Sequence, residues 1–231
     1  ADNQGYTPLY NAAEIGSFEV CKFIIGNVDN KNPELFFNGH TPLHIAAHNG
    51  HIDVCQLIID NIEDKNPADN QGFTPLHIAA QAGHLDIYKL IIYRVENKNP
   101  TDYFVGTTPY HLAAQWGHFE TCKFIFENAG VDNNNPVDFN GTTPFHLAAQ
   151  YGHFEICKIF VYNVDNKNPV DINGVTPLHK AANNGHFQIC KRIIDNVNDK
   201  NPADNRGVTP LQIVTKNGHF DAYLQMFTNN F

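Results

Sequence analysis

The chain has 231 residues, 42% of them apolar and only 17% charged, with a formal net charge of −9 at pH 7. No apolar run approaches the roughly 18 residues that a membrane-spanning helix needs, so membrane insertion is not expected. Duplex nucleic acid is not expected as a partner either, because phosphate neutralisation wants a clustered basic surface.

The first element opens at Thr7-Pro8. A threonine hydroxyl can accept an orphan backbone N–H at a helix start, and proline at the first helical position has no donor to waste. The helix is short, since Gly16 arrives eight residues after Pro8, where a chain reversal wants a residue that tolerates positive φ. Ala12 and Ala13 offer no bulk and let a neighbouring helix approach closely. A second helix follows with Phe18, Val20, Cys21, Ile24 and Ile25 at helical spacing, an apolar stripe to bury. The link Asn27-Val28-Asp29-Asn30-Lys31-Asn32-Pro33 then leads into a second copy.

Thr-Pro recurs at Thr41, Thr74, Thr108, Thr143, Thr176 and Thr209, in steps of 34, 33, 34, 35, 33 and 33 residues from Thr7. Seven repeats, at about 2–34, 35–67, 68–100, 101–136, 137–169, 170–202 and 203–231, fill a single domain of 1–231. Residue 1 falls within a repeat, so the chain reads as a fragment or a processed protein. The fourth copy is flanked by length changes, one extra residue in Tyr103–Thr107 and two in Asn128–Asn135. The last copy is worn: Ile213-Val214-Thr215 replaces x-Ala-Ala, and Gln225, Met226 and Phe227 replace the regular helix ending, as suits a capping repeat. Lys22, Lys89, Lys123 and Lys158 each follow an acidic residue by three positions (Glu19, Asp86, Glu120, Glu155), whereas Lys191 follows Gln188; they read as i,i+3 helix partners on a solvated outer face. Neither helix of a repeat exceeds roughly ten residues, below the ~12–15 at which isolated helices become marginal. Stability must therefore come from faces shared between adjacent copies.

The phrase Thr-Pro-Leu-His-x-Ala-Ala, the Gly-His that follows and the 33-residue step resemble ankyrin repeats, and the resemblance covers all 231 residues. It implies an all-α solenoid of paired antiparallel helices, L-shaped units linked by β-hairpin-like fingers, and a concave face that binds partner proteins. It also implies that the repeat histidines hydrogen-bond backbone groups of their own or the next repeat. Where the family usually writes Gly-Ala-Asp-Val-Asn after the second helix, this chain carries its Asn-rich link. Asn is the next-best residue for a left-handed C-cap, so Asn27, Asn61, Asn128, Asn163 and Asn196 are expected to take that conformation, with Arg94 breaking the series.

Eleven of the thirteen histidines sit at repeat positions: His44, His77, His111, His146 and His179 in the Thr-Pro phrase, and His51, His84, His118, His153, His186 and His219 after the turn glycine. A zinc site needs converging ligands, and these form a ladder, so no metal and no cofactor are expected. Cys21, Cys55, Cys122, Cys157 and Cys190 each lie fourteen residues after the repeat threonine, with Tyr88 and Tyr223 at the equivalent places. Equivalent positions on stacked helices are about 8–10 Å apart, beyond the ~7 Å reach of a disulfide, so free thiols in an intracellular, cytoplasmic setting are expected. Asn140-Gly141-Thr142 reads as a turn rather than a glycosylation site. Ser17 is the only serine and lies in no nucleophile elbow, and no phosphate-binding loop occurs, so no catalytic residue is expected.

Function is expected where the copies disagree at exposed positions. By the family resemblance the end of the first helix faces the concave groove, giving His48, Gln81, Gln115, Trp116, Gln150, Tyr151, Asn183 and Asn184 as candidates. Phe37, Phe73, Phe104 and Phe139 add finger aromatics, the residue type that dominates interface hot spots. These aromatics either line a binding surface or pack between neighbouring fingers. The chain is expected to be a monomeric, non-catalytic scaffold for another protein or peptide, with the net charge favouring a basic partner. The alternative is a regulatory or self-assembly arm of a larger protein, such as a channel or a ubiquitin-ligase adaptor; a third reading is a structural spacer with no partner.

Overall fold

The computed structural model describes residues 1–128 and 135–218. Among these residues there are thirteen helices and no strand: α1 (Pro8–Glu14), α2 (Phe18–Ile25), α3 (Pro42–Asn49), α4 (Ile52–Asn61), α5 (Pro75–Ala82), α6 (Leu85–Ile92), α7 (Pro109–Trp116), α8 (Phe119–Asn128), α9 (Pro144–Tyr151), α10 (Phe154–Asn163), α11 (Pro177–Asn183), α12 (Phe187–Ile194) and α13 (Pro210–Lys216). They fall into two compact units that divide within α7, after Leu112. His219, Tyr223, Gln225, Met226, Phe227 and most of the two-residue extension between Asn128 and Asn135 lie outside the described residues.

In the first unit every first helix starts at the threonine of the Thr-Pro pair. The His44 backbone N–H donates to the Thr41 hydroxyl, while the Thr41 N–H donates to His44 Nδ1 at 3.1 Å; Thr74 and His77 repeat the arrangement. Two orphan groups are thus satisfied reciprocally by a histidine where a glutamate usually serves. α1 carries Tyr10 at that position and keeps only one arm, from the Tyr10 N–H to Thr7 Oγ1. The reversal after α3 is made by Gly50 at φ 81°, and a Cβ there would lie 2.7 Å from His84 Cε1 of the next repeat. First helices α1, α3 and α5 pack in succession, as do second helices α2, α4 and α6. Ala46, Ala47, Ala79 and Ala80 have no exposed surface, and neither do Val54, Cys55, Ile58 and Ile59 on α4.

The second unit follows the same plan. α9, α11 and α13 pack in succession, with α8, α10 and α12 behind them. Phe145 and Phe160, both fully buried, stack at 5.2 Å between α9 and α10. Among the acid–lysine pairs, Lys158 Nζ reaches Glu155 Oε2 at 2.7 Å, and Lys191 pairs instead with Asp195 at 3.4 Å. All five cysteines are free and buried, and burial pushes the Cys55 and Cys190 thiols up to about 12.

The expected left-handed asparagine caps do not form. Among the described residues only glycines have positive φ. Each asparagine instead turns its side-chain amide back onto the helix. Asn27 Nδ2 donates to Phe23 O at 2.7 Å, and the same i to i−4 bond joins Asn61 to Leu57 (2.9 Å), Asn128 to Phe124 (3.4 Å), Asn163 to Ile159 (2.8 Å) and Asn196 to Arg192 (2.9 Å). Arg94, the apparent break, does the same job with its guanidinium, Nη1 to Leu90 O at 2.8 Å. The physical reason is that a side-chain donor satisfies a terminal carbonyl without the steric cost of an L-residue in the left-handed region.

The link has a second recurring task. The asparagine before Pro accepts the N–H of the second residue of the next first helix: Asn32 from Leu43, Asn66 from Leu76, Asn168 from Leu178 and Asn201 from Leu211, at 2.9–3.3 Å. One orphan donor per helix is satisfied from ten or eleven residues upstream.

Candidate functional site

Most fingers are tight turns built on an aspartate, while the finger of Phe37 has Leu35 in that place and takes the His40 N–H on Asn38 Oδ1 at 3.0 Å. Asp69 N donates to Phe73 O and accepts Gly72 N on its own carbonyl, while its Oδ1 takes the N–H groups of Gln71 and Phe73, both at 2.8 Å. Asp138, Asp171 and Asp204 are used alike. The closing hydrogen bonds are hairpin-like, but the segments are too short for a strand. Successive tips within a unit are joined by single backbone bonds, such as Asn70 N to Asn38 O and Ile172 N to Asn140 O, each 2.9 Å.

The extra residue in the fourth finger is absorbed by Asp102. Its Oδ1 accepts Phe104 N and Val105 N, and its Oδ2 accepts Thr107 N at 2.5 Å. Burial acts to raise this carboxyl, but the three donated bonds outweigh it and hold Asp102 below the usual range. The bulged tip leaves Phe104 73% exposed.

The finger phenylalanines do not share one environment. In the first unit Phe37 and Phe104 are exposed tip residues, and Phe37 lies 6.3 Å from the Tyr6 ring. Phe73 is a base residue, half-buried, with its ring edge-on to His77 at 5.4 Å. In the second unit Phe139 is exposed at its tip.

The ends of the first helices are set in register by the second histidine ladder. His51 Nε2 bonds Glu14 O and His84 Nε2 bonds His48 O in the first unit; His153 Nε2 bonds Gln115 O and His186 Nε2 bonds Gln150 O in the second, at 2.8–3.1 Å. These contacts reach the preceding repeat, while the Thr-Pro histidines reach the following one: His44 to Phe73 O, His77 to Thr107 O, His146 to Val175 O and His179 to Val208 O, at 3.0–3.1 Å. Because Nδ1 of these four accepts a threonine N–H, Nε2 carries the proton, and the neutral tautomer is fixed. Burial pushes His44, His77 and His146 down to about 4, and lowers His179 too.

Against this frame the candidates divide by unit. In the first, His48 is exposed at the end of α3 and Gln81 is half-buried at the end of α5. In the second, Gln115 and Gln150 are half-buried, and Trp116 and Tyr151 beside them are 55% and 47% exposed. Asn183 and Asn184 continue the row one repeat on, exposed, with Asn184 Nδ2 donating to Lys180 O at 2.9 Å. A groove of about 590 Å³ lies beside Asn183, between α11, α13 and the last finger, and is lined by Lys180, Arg206 and Lys216 among others. Sequence reasoning missed it. The available signal was Lys180 at a position held by Leu147 and Ile213 in the flanking repeats.

A family model described as ankyrin repeats, three copies, matches residues 9–102, 95–171 and 145–230. No curated protein matches the chain. With paired helices, reciprocal threonine–histidine caps and a family match along most of its length, the chain belongs to the ankyrin-repeat family.

Proposed function

We propose that the chain is a non-catalytic scaffold that binds a partner protein or peptide through its concave, first-helix face and its fingers. Ankyrin repeats are in general protein–protein interaction modules. The observation that carries the reading is the pair Trp116 and Tyr151, large aromatics left half-exposed at the same register of successive repeats while the residues beside them are tied into the stack. Exposed aromatics on a rigid support suit an interface anchor. Five buried free thiols support an intracellular setting, and among the described residues no helix is long and apolar enough to cross a membrane.

The test is affinity capture from the source cell, comparing the wild type with Trp116→Ala and Tyr151→Ala. Loss of the captured partner with an unchanged melting temperature supports the reading. Undiminished capture, or a large loss of stability, contradicts it. Light scattering during size exclusion separates a monomeric binder from a self-assembling arm, and a monomer is the expected result.

A further inference from the structure

The chain is acidic, yet the groove between α11 and α13 is not. Three cations line it, Lys180 from α11, Lys216 from α13 and Arg206 from the last finger. Each occupies a place where the preceding repeats of this unit carry a neutral residue: Leu147 for Lys180, Gln150 and Asn183 for Lys216, Asn140 and Asn173 for Arg206. The positive charge is therefore not a property of the repeat. It is gathered here from positions 10 to 36 residues apart by the packing of α13 on α11.

The groove's own carboxylate is already used. Asp204 is almost fully buried, its Oδ1 accepts the N–H groups of Arg206 (2.9 Å) and Val208 (2.8 Å), and its Oδ2 lies 3.4 Å from Arg206 Nη2. Arg206 remains 81% exposed and keeps most of its guanidinium donors for a ligand. Asp171 of the preceding finger accepts the N–H groups of Asn173 and Val175 on its Oδ1. Among the described residues neither Lys180 nor Lys216 forms an ion pair. His179 adds no charge: Thr176 N–H fills its Nδ1, Nε2 donates to Val208 O, and burial lowers its basicity. Gln212, whose Oε1 accepts Thr209 N, lines the same space.

We propose that this groove takes an acidic segment of the partner, a stretch of aspartate and glutamate side chains in extended conformation. The proposal rests on the reading of the first-helix face as the binding face, and it reverses the partner charge that the net charge alone suggests. Charges elsewhere on the chain are screened beyond a Debye length of about 8–10 Å, so the local cations decide what enters. Two lysines and an arginine fork, interleaved with neutral amide donors, suit carboxylates presented on a flexible chain. A volume of about 590 Å³ is in the range of sites that enclose a ligand segment.

The experiment is fluorescence anisotropy on the full chain with a fluorescein-labelled oligo-glutamate peptide, an oligo-lysine peptide and a single-stranded DNA oligonucleotide of matched length. The wild type is expected to bind oligo-glutamate in preference to both others, with affinity falling as salt rises. The triple variant Lys180→Met, Arg206→Gln, Lys216→Met is expected to weaken that binding by at least about tenfold with an unchanged melting temperature, because all three side chains reach solvent. No binding of oligo-glutamate, equal binding by the variant, or preference for DNA or oligo-lysine overturns the proposal. The Trp116→Ala chain keeps its oligo-glutamate affinity if the groove acts as stated. A wild type that ignores oligo-glutamate while Trp116→Ala still abolishes partner capture removes this inference and leaves the scaffold reading standing.

Discussion

A buried imidazole with both nitrogens committed ties its own helix start to the next repeat. His77 receives the Thr74 N–H on Nδ1 and donates from Nε2 to Thr107 O of the next repeat. His77→Ala leaves both groups without that partner and opens a cavity, and should cost about 2–4 kcal/mol in urea melts. The same burial makes the fold acid-sensitive. In the unfolded chain a histidine takes up a proton near pH 6.5, whereas folded His44, His77 and His146 resist it until about pH 4. The unfolded state therefore binds more protons between these values. Stability should be complete above about pH 6.5 and fall as pH drops toward 4, by up to about 3 kcal/mol per histidine. Melting curves at pH 7.5, 6, 5 and 4 check this, and a flat profile would contradict the neutral tautomer.

At the scale of the element, two kinds of helix ending divide the labour. First helices are stopped by left-handed glycine: Gly152 has φ 82°, and a Cβ there would meet His186 Cε1 at 2.7 Å. Gly152→Ala should cost about 1–3 kcal/mol by thermal denaturation, from backbone strain and displacement of the ring. Second helices are stopped by a side-chain donor. Asn61→Gly therefore loses the bond to Leu57 O and should destabilise by about 0.5–1.5 kcal/mol, whereas a left-handed cap would have gained from glycine. The contrast shows how far the sequence could be read. Thr-Pro and the turn glycines have one physical meaning each, so the helix starts and reversals were legible. Asn27 and its counterparts have two, a left-handed backbone or an amide turned onto its own helix, and residue type alone does not choose between them. Arg94 looked like an exception because the donor role was not yet in view. The link asparagines such as Asn66 were illegible for a different reason: the N–H they satisfy lies ten residues away, and only the turn of the finger brings it back.

For the whole molecule the same separation holds between what the stack needs and what it leaves over. Alanine pairs, thiols and imidazoles are consumed by repeat-to-repeat contact within each unit, and their positions could be anticipated because most copies repeat them. The candidate binding residues could be anticipated only as places where the copies disagree. Coordinates were needed to separate the half-buried Phe73 from the exposed Phe104, and to bring Lys180, Arg206 and Lys216 to one groove. All of this supposes that the free energy of folding resides in the faces between repeats. The most direct measurement is far-UV circular dichroism of the isolated peptide 137–169, one whole repeat from the second unit, beside the intact chain. The account predicts no cooperative helical transition in the peptide and a sharp one in the chain; a peptide that folds alone with a cooperative melt would contradict it.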